Sequence, residues 1–541
     1  MRTLIARSAL GLMLAGLLVS AGCKRAPAHE SPTHVLRISQ RNEPADLDPA
    51  LATLPDEFFI IRALSEGLVS PRPDSPDRPS SHDVEPAAAS HWELSSDQLV
   101  YTFHLRTDAY WSNGDEVTAA DFRDSYRRLL TPATGSPKAA LFAMVKNARA
   151  FSAGELTDFS VVGFATPDRR TLQITLEQPM PQFLQYVASG PWIPVNSRVV
   201  EKLGRGWTRP GNFVGNGPFI LTEWRPHQRI VVKRNPKYHN AAAARLEEIN
   251  FVACDNGDTE DRAFRAGQLD ITMAVPPAKL EAYARDRPHE LHRAPLAETR
   301  YLAFNTQKPP LTDERVRKAL SLTIDRRLLT GQLLRGGQEP ADRMVAPGLR
   351  TKGAEPVMET ALVAMDVTLA RTLLRDAGFP DGNGFPRLEL STWVNSPVTE
   401  AIQQMWKKEL GIDVGLILRD AKIHVASLRE GNYDVGLITA IPDVLDAANV
   451  LQDFTSDAPG NYPHWSDAQY DAAIRESQHA TDALSRSNHL VRAEMRLNEA
   501  CPLTPLYFNA KNWLMSSRVR GWQQDALWTR FYLNVETISA K

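Results

Sequence analysis

The residues able to do chemistry are few and poorly grouped for it. Cys23, Cys254 and Cys501 have none of the paired spacings of a zinc site. The nearest metal-like string, His289-Glu290-Leu291-His292, sets its histidines three apart rather than four and follows Pro288, which predicts a solvated loop. The acids between Asp255 and Asp261 lack the spacing of a calcium loop and predict a solvated turn. The chain contains no G-x-S-x-G elbow, no H-E-x-x-H, no C-x-x-C and no G-x-x-x-x-G-K-[ST] loop. Carboxylate dyads leave no linear trace, so this absence does not exclude catalysis, but it moves the expectation toward binding with no reaction, cofactor or metal.

The N-terminus points to export. Arg2 and Arg7 precede an apolar stretch from Ala9 to Val19 that is short for a spanning helix, and Ser20-Ala21-Gly22 lead into Cys23. Residues 1–22 therefore read as a signal peptide. The small residues before Cys23 resemble a bacterial lipobox, with Ser20 where leucine is usual, which implies lipid attachment at Cys23. The polar, proline-containing run 24–33 reads as a tether. In an oxidising compartment Cys254 and Cys501 could pair, and spacing alone leaves that open.

Any site must be positioned by a large body. A chain of 541 residues with 43% hydrophobic and 23% charged residues is an ordinary globular protein of about three domains. Its 62 basic residues nearly balance 64 acidic ones, so no global field draws it to nucleic acid. From Val35 to about Val275 the signals are short strands and turns: VYTFHLR, with Tyr101, Phe103 and Leu105 on one face, then TLQITLEQ, RIVVKR, EEINFVA and LDITMAV. One helix stands among them, opened by a Thr118/Asp121 capping box, carrying Phe122, Tyr126, Leu129 and Leu130, and stopped by Pro132. The proline- and aspartate-rich run 70–83 predicts a surface loop. From about Thr312 helices alternate with strands, as in an α/β lobe, with Gly378 and Gly411 placed as helix caps and Met405 and Trp406 as core.

Several strings resemble the oligopeptide-binding proteins of bacterial peptide ABC importers, the family-5 extracellular solute-binding proteins: SEGLVS (65–70), TFHLRTDAYWSNGDEVTAADF (102–122), GWTRPGNFVGNGPFIL (206–221), NTQKPPLTDERVRKAL (305–320) and the YDVGLIT strand with its following loop. Locally, Asn113-Gly114 reads as a turn, Trp111 as a packing anchor, and Gly215 and Gly217 as freeing the backbone to turn around Asn216. The resemblance implies a two-lobed α/β clamp of the periplasmic-binding-protein type with an additional domain. Lobe I would comprise 34–75, 197–297 and 511–541, the extra domain 76–196, and lobe II 298–510. Such receptors close on an extended peptide, whose main-chain hydrogen bonds supply affinity independent of side chains, and closure presents a surface to the permease.

The family's charge contact is a lobe II aspartate that pairs with the peptide α-ammonium. In TAIPDVLDAANVL the matching position is Asp443, with Asp446 its rival. Aromatic and proline positions around it are Ala440, Val444 and Ala447 here, and Leu437 stands where some members carry an arginine for a short peptide's carboxylate. Glu66 and Asn305 are further candidates, each with an equally good structural reading. The resemblance thus implies a monomeric, lipid-anchored periplasmic receptor that hands oligopeptides to an ABC permease. Alternatives are the same clamp holding a murein peptide, haem, a nickel chelate or another small solute, and a peptide-binding chaperone or sensor uncoupled from import.

Overall fold

The computed structural model describes residues 34–73, 84–349, 364–480 and 482–539. The signal peptide, the tether with Cys23 and most of the 70–83 loop lie outside them. Among the described residues no helix is long and apolar enough to cross a membrane.

Three sheets organise the molecule. The first has the order Val35–Gln40, Glu248–Ala253, Arg229–Arg234, Phe219–Arg225, its first pair parallel and the rest antiparallel. Alternating apolar residues such as Leu36, Ile38, Val232 and Phe251 pack it against Ile60, Ile61 and Leu64 of the helix Pro55–Leu64. That helix opens on a proline and is capped by Glu57, whose carboxylate accepts from the Thr53 and Leu54 amides.

The second sheet is antiparallel, with the order Ala89–Leu94, Val100–Leu105, Thr171–Thr175, Phe164–Asp168. Tyr101, Phe103 and Leu105 face its core as their alternation predicts, and the helix Ala119–Leu130 lays Phe122, Tyr126, Leu129 and Leu130 on them. The capping box forms, with the Asp121 carboxylate accepting from both the Thr118 amide and hydroxyl at 2.8 Å and from the buried Trp111 indole at 3.4 Å. The anchor tryptophan is thereby tied to the cap.

The third sheet is mixed and six-stranded, with the order Glu339–Pro340, Leu503–Leu514, Leu291–Phe304, Val435–Ala440, Leu388–Thr392, Val414–Leu418. The predicted alternation is present, through helices Glu314–Leu322, Val367–Asp376, Pro397–Leu410 and Ala421–Arg429. Gly378 and Gly411 follow their helices at φ 97° and 70°, where an L side chain is strained. Trp406 is fully buried, and its indole donates to the Leu320 carbonyl at 2.9 Å. Two antiparallel strands, Leu291–Phe304 and Leu503–Leu514, run from the first core, where Ala294, Leu296 and Trp513 pack, to those of the third sheet, where Tyr301, Leu302 and Leu506 pack. Their register breaks between Pro295 and Thr299, in the crossing between the two lobes.

Two expectations are corrected. LDITMAV is not a strand: Ile271 makes only isolated bridges to Ile38 and Met515, because Asp270 turns into ion pairs with Arg37 and Arg518. The Asp255–Asp261 acids are not a solvated turn. Asn256 caps the helix Gly257–Arg265, Glu260 is buried and accepts from the Met273 and Ala274 amides, and Asp261 is buried against Lys279 and Tyr283. The chain bends at Asn216 between Gly215 and Gly217 as read, with neither glycine at positive φ. A Cβ on Gly215 would lie 2.0 Å from the Leu64 carbonyl oxygen, and one on Gly217 would lie 2.5 Å from the Ser65 amide. Close backbone approach therefore requires both glycines, and it lets Asn216 exchange hydrogen bonds with the Glu66 amide (3.1 Å) and carbonyl (3.0 Å). We expect Gly215→Ala to destabilise by about 1–3 kcal/mol, since no rotamer relieves a backbone clash. Gly206→Ala, whose Cβ would meet nothing within 4 Å, should leave the melting temperature nearly unchanged in the same scan.

Cys254 and Cys501 are buried free thiols in separate apolar clusters, so they do not cross-link the lobes. Burial pushes the Cys501 thiol up to about 11.

A candidate interlobe binding site

The strand Val435–Ala440 ends in the loop Ile441–Leu445, after which the five-residue helix Ala447–Leu451 begins. The polar side chains that follow Asp443, those of Asp446 and Asn449, have partners inside the protein. Asp446 is buried and caps the short helix by accepting from the Ala448 amide at 2.9 Å. Its two oxygens also receive the Arg486 guanidinium at 2.9 and 2.7 Å, and Arg486 reaches on to Gln182 Oε1 at 3.2 Å. Asn449 Oδ1 accepts from the Asp443 amide at 2.7 Å, while its Nδ2 donates to the Tyr186 hydroxyl at 3.0 Å across the interface with the second-sheet domain. Val444 is buried in that domain's core. The Asp443 backbone is thus held from both sides.

Its carboxylate is not. Among the described residues none donates a hydrogen bond to the Asp443 side chain, which lines a cavity of about 210 Å³ between the lobes. Phe58 and Arg62 from the first lobe, Lys138, Leu141 and Gln185 from the second-sheet domain, and Asp525 from the C-terminal segment complete the walls. The carboxylate is open to cavity water but walled by protein elsewhere. That desolvation raises its pKa, and the Lys138 ammonium opposes the rise. Asp453, which is not part of the cavity wall, is pushed up to about 6 by loss of water and then by the charge of Asp443.

A second cavity, of about 490 Å³, adjoins the first, with Arg62 and Thr529 in the walls of both. Glu66 lines it, but its oxygens are already taken by the Tyr238 hydroxyl and His239 Nε2, each at 2.8 Å. Asn305 lines neither cavity. It is buried, donating to the Gly431 and Tyr433 carbonyls at 2.9 Å and accepting from the Gln307 amide, so it pins the start of the Val435 strand. Leu437 is buried with its carbonyl accepting from His424, and presents no charge. Lys138, Tyr186 and Asp453 were not legible in the sequence, because two lie on another domain and no linear spacing links them to Asp443.

Comparison with known proteins agrees with this architecture. The family model described as bacterial extracellular solute-binding proteins, family 5 Middle, matches residues 83–462. The chain is 33% identical over 497 residues, 91% of each chain, to the "Probable deoxycholate-binding periplasmic protein" of Escherichia coli K12. It is also 33% identical to the periplasmic murein peptide-binding protein of that strain, over 93% of this chain and 92% of the relative. The solved E. coli murein tripeptide binding protein superposes with a TM-score of 0.78 at 31% identity, covering 94% of this chain and 100% of the other. The Haemophilus influenzae oligopeptide-binding protein complexed with RPPGFSPFR gives 0.76 at 28% identity, with the same coverage. The match spans nearly the whole chain, and the protein belongs to the family-5 bacterial extracellular solute-binding proteins, with their two-lobed α/β fold.

Proposed function

We propose that this protein is a periplasmic receptor that captures oligopeptides by their free α-ammonium at Asp443 and delivers them to an ABC permease, tethered to the membrane by lipid on Cys23. It carries out no reaction of its own. The observation that supports the reading best is the unengaged Asp443 carboxylate on a loop where Asp446 and Asn449 are fully committed to structure. In this reading Asp446 is a positioning residue, Asn305 a structural one, and Glu66 a wall of the adjoining space into which a peptide's later residues extend. We assign lobe I to 34–75, 197–297 and 511–541, the extra domain to 76–196 and lobe II to 298–510.

A second reading keeps the clamp and changes the cargo. Ala440, Val444 and Ala447 leave the first pocket without aromatic walls, and relatives at 33% identity are named for a murein peptide and for deoxycholate. Asp443, Asp525 and Glu298 share the cavity wall with Arg62 and Lys138, so the lining offers partners to both charges of a zwitterionic peptide. Native mass spectrometry of residues 24–541 purified from cells, followed by identification of what the cleft retained, separates them. A ladder of unrelated free-amino peptides supports the broad receptor, and one compact species supports the narrower cargo.

The raised Asp443 carboxylate also sets a pH dependence. An ammonium stabilises the charged form of its partner, so it binds with proton release wherever Asp443 is protonated in the empty site. A peptide α-amino group stays charged below about 7.7. Affinity is therefore expected to be highest near pH 7 and to fall as acidification protonates Asp443, whose pKa is raised by loss of water. Titration calorimetry at pH 7 and pH 5 in buffers of different ionisation enthalpy checks both the fall and the released proton.

A further inference from the structure

We propose that the outer face of the second sheet carries a binding site for a first-row divalent transition ion such as zinc, built by His91, Glu93 and His104. The strands Ala89–Leu94 and Val100–Leu105 pair so that His91 lies directly opposite His104, and Glu93 opposite Thr102. Since Tyr101, Phe103 and Leu105 point to the core, the pleat turns His104 outward, and His91 and Glu93, two apart, share that outer face. The imidazole rings stack with centroids 4.4 Å apart, and His104 Nε2 stands 3.6 Å from Glu93 Oε1. One donor atom from each of the three lies within 4.8 Å of the others. Tetrahedral coordination at about 2.0–2.1 Å sets donors roughly 3.3 Å apart, so closure by about 1.5 Å is required. Exposed Glu93 can supply it by rotamer adjustment, and exposed His91 by tilting its ring out of the stack so that the two in-plane lone pairs converge, with the Ser90 hydroxyl following Nδ1.

Two further observations favour a ligand over a bare ion pair. His104 Nε2 is a buried atom without a hydrogen-bond partner. Ser90 Oγ lies 3.0 Å from His91 Nδ1 while donating to the His104 carbonyl at 3.1 Å, so its lone pair accepts from His91 Nδ1–H, and His91 Nε2 is left as a free donor to metal. Fixing one ring nitrogen so that the other can ligate is the usual outer-shell arrangement. Two imidazoles and one carboxylate suit zinc, nickel or copper rather than calcium or magnesium, and three protein ligands leave a position open. Among the described residues no other trio of His, Cys, Asp or Glu converges in this way, and none of the three lines either cavity. The sequence string at His289 does not converge either, since His292 stacks on Trp513 instead.

The test uses tag-free residues 24–541, stripped with chelator and titrated with zinc chloride by calorimetry at pH 7.4, with cobalt absorbance as a second readout. One equivalent should bind at micromolar affinity and raise the melting temperature. His91→Ala and Glu93→Gln should each weaken binding by about tenfold or more, and His91→Ala/His104→Ala should abolish it. Absence of zinc binding by the parent, or an unchanged isotherm in the double variant, overturns the proposal. Should His104→Ala disturb folding, exposed His91→Ala decides alone, and full retention of zinc by that variant refutes the site.

Discussion

Asp443→Ala is expected to weaken capture of a free-amino peptide by about 2–5 kcal/mol, roughly 30- to 5,000-fold, with no loss of stability. The size follows from the state in which the contact is made. In the cleft the carboxylate has no protein donor, so a bound ammonium is its main partner, and lobe closure removes the water that would otherwise share the charge. The absence of a stability cost follows from the same geometry. The Asp443 amide, not the carboxylate, holds the loop through Asn449. Because desolvation raises its pKa, the charged side chain opposes folding near neutrality. That penalty is absent below the ordinary carboxylate value, develops as pH rises from there to the raised one, and is constant above it. N-acetylation of the peptide should reproduce the loss on the parent protein and add little on the variant, a coupling readable by calorimetry. Equal affinity for free and acetylated peptide would remove Asp443 from the role.

Asp446→Ala should behave in the opposite way, costing about 3–5 kcal/mol of stability. Arg486 and Asp446 side chains are only 3% and 6% exposed, and deleting the acid removes the bidentate partner of a buried guanidinium. The same carboxylate caps the Ala447–Leu451 helix, so the loop that presents Asp443 loses its anchor as well. Asp446→Asn, which keeps an oxygen for the cap but not the charge, should lie between the two. Denaturant unfolding with ligand absent measures this directly. A variant as stable as the parent that cannot bind peptide would instead make Asp446 the ligand contact.

Much of the frame was legible because it is written at short range. Alternation at Tyr101, Phe103 and Leu105, the Thr118/Asp121 box and the cap glycines Gly378 and Gly411 depend on neighbours within a few residues, and each appears as read. LDITMAV misled because its period is that of a strand, whereas the ion pairs of Asp270 with Arg37 and Arg518 come from distant segments. The acids at 255–261 misled for a like reason: burial of Glu260 and Asp261 depends on partners at Met273 and Lys279.

Sequence by itself carried the family resemblance, the alternation of helix and strand and, through that resemblance, the choice of Asp443 as a candidate, all from ordered local strings. Tertiary structure alone decided which of two nearby aspartates is free, because that turns on Arg486 and Asn449 filling the valences of Asp446 and the Asp443 amide. It also decided that Lys138 shares the cavity wall with Asp443, that Tyr186 holds Asn449 behind the loop, and that His91 meets His104 across a strand pair. Electrostatics and coordination act over a few ångströms of space without regard to separation along the chain, so only the folded arrangement brings these groups within reach of one another.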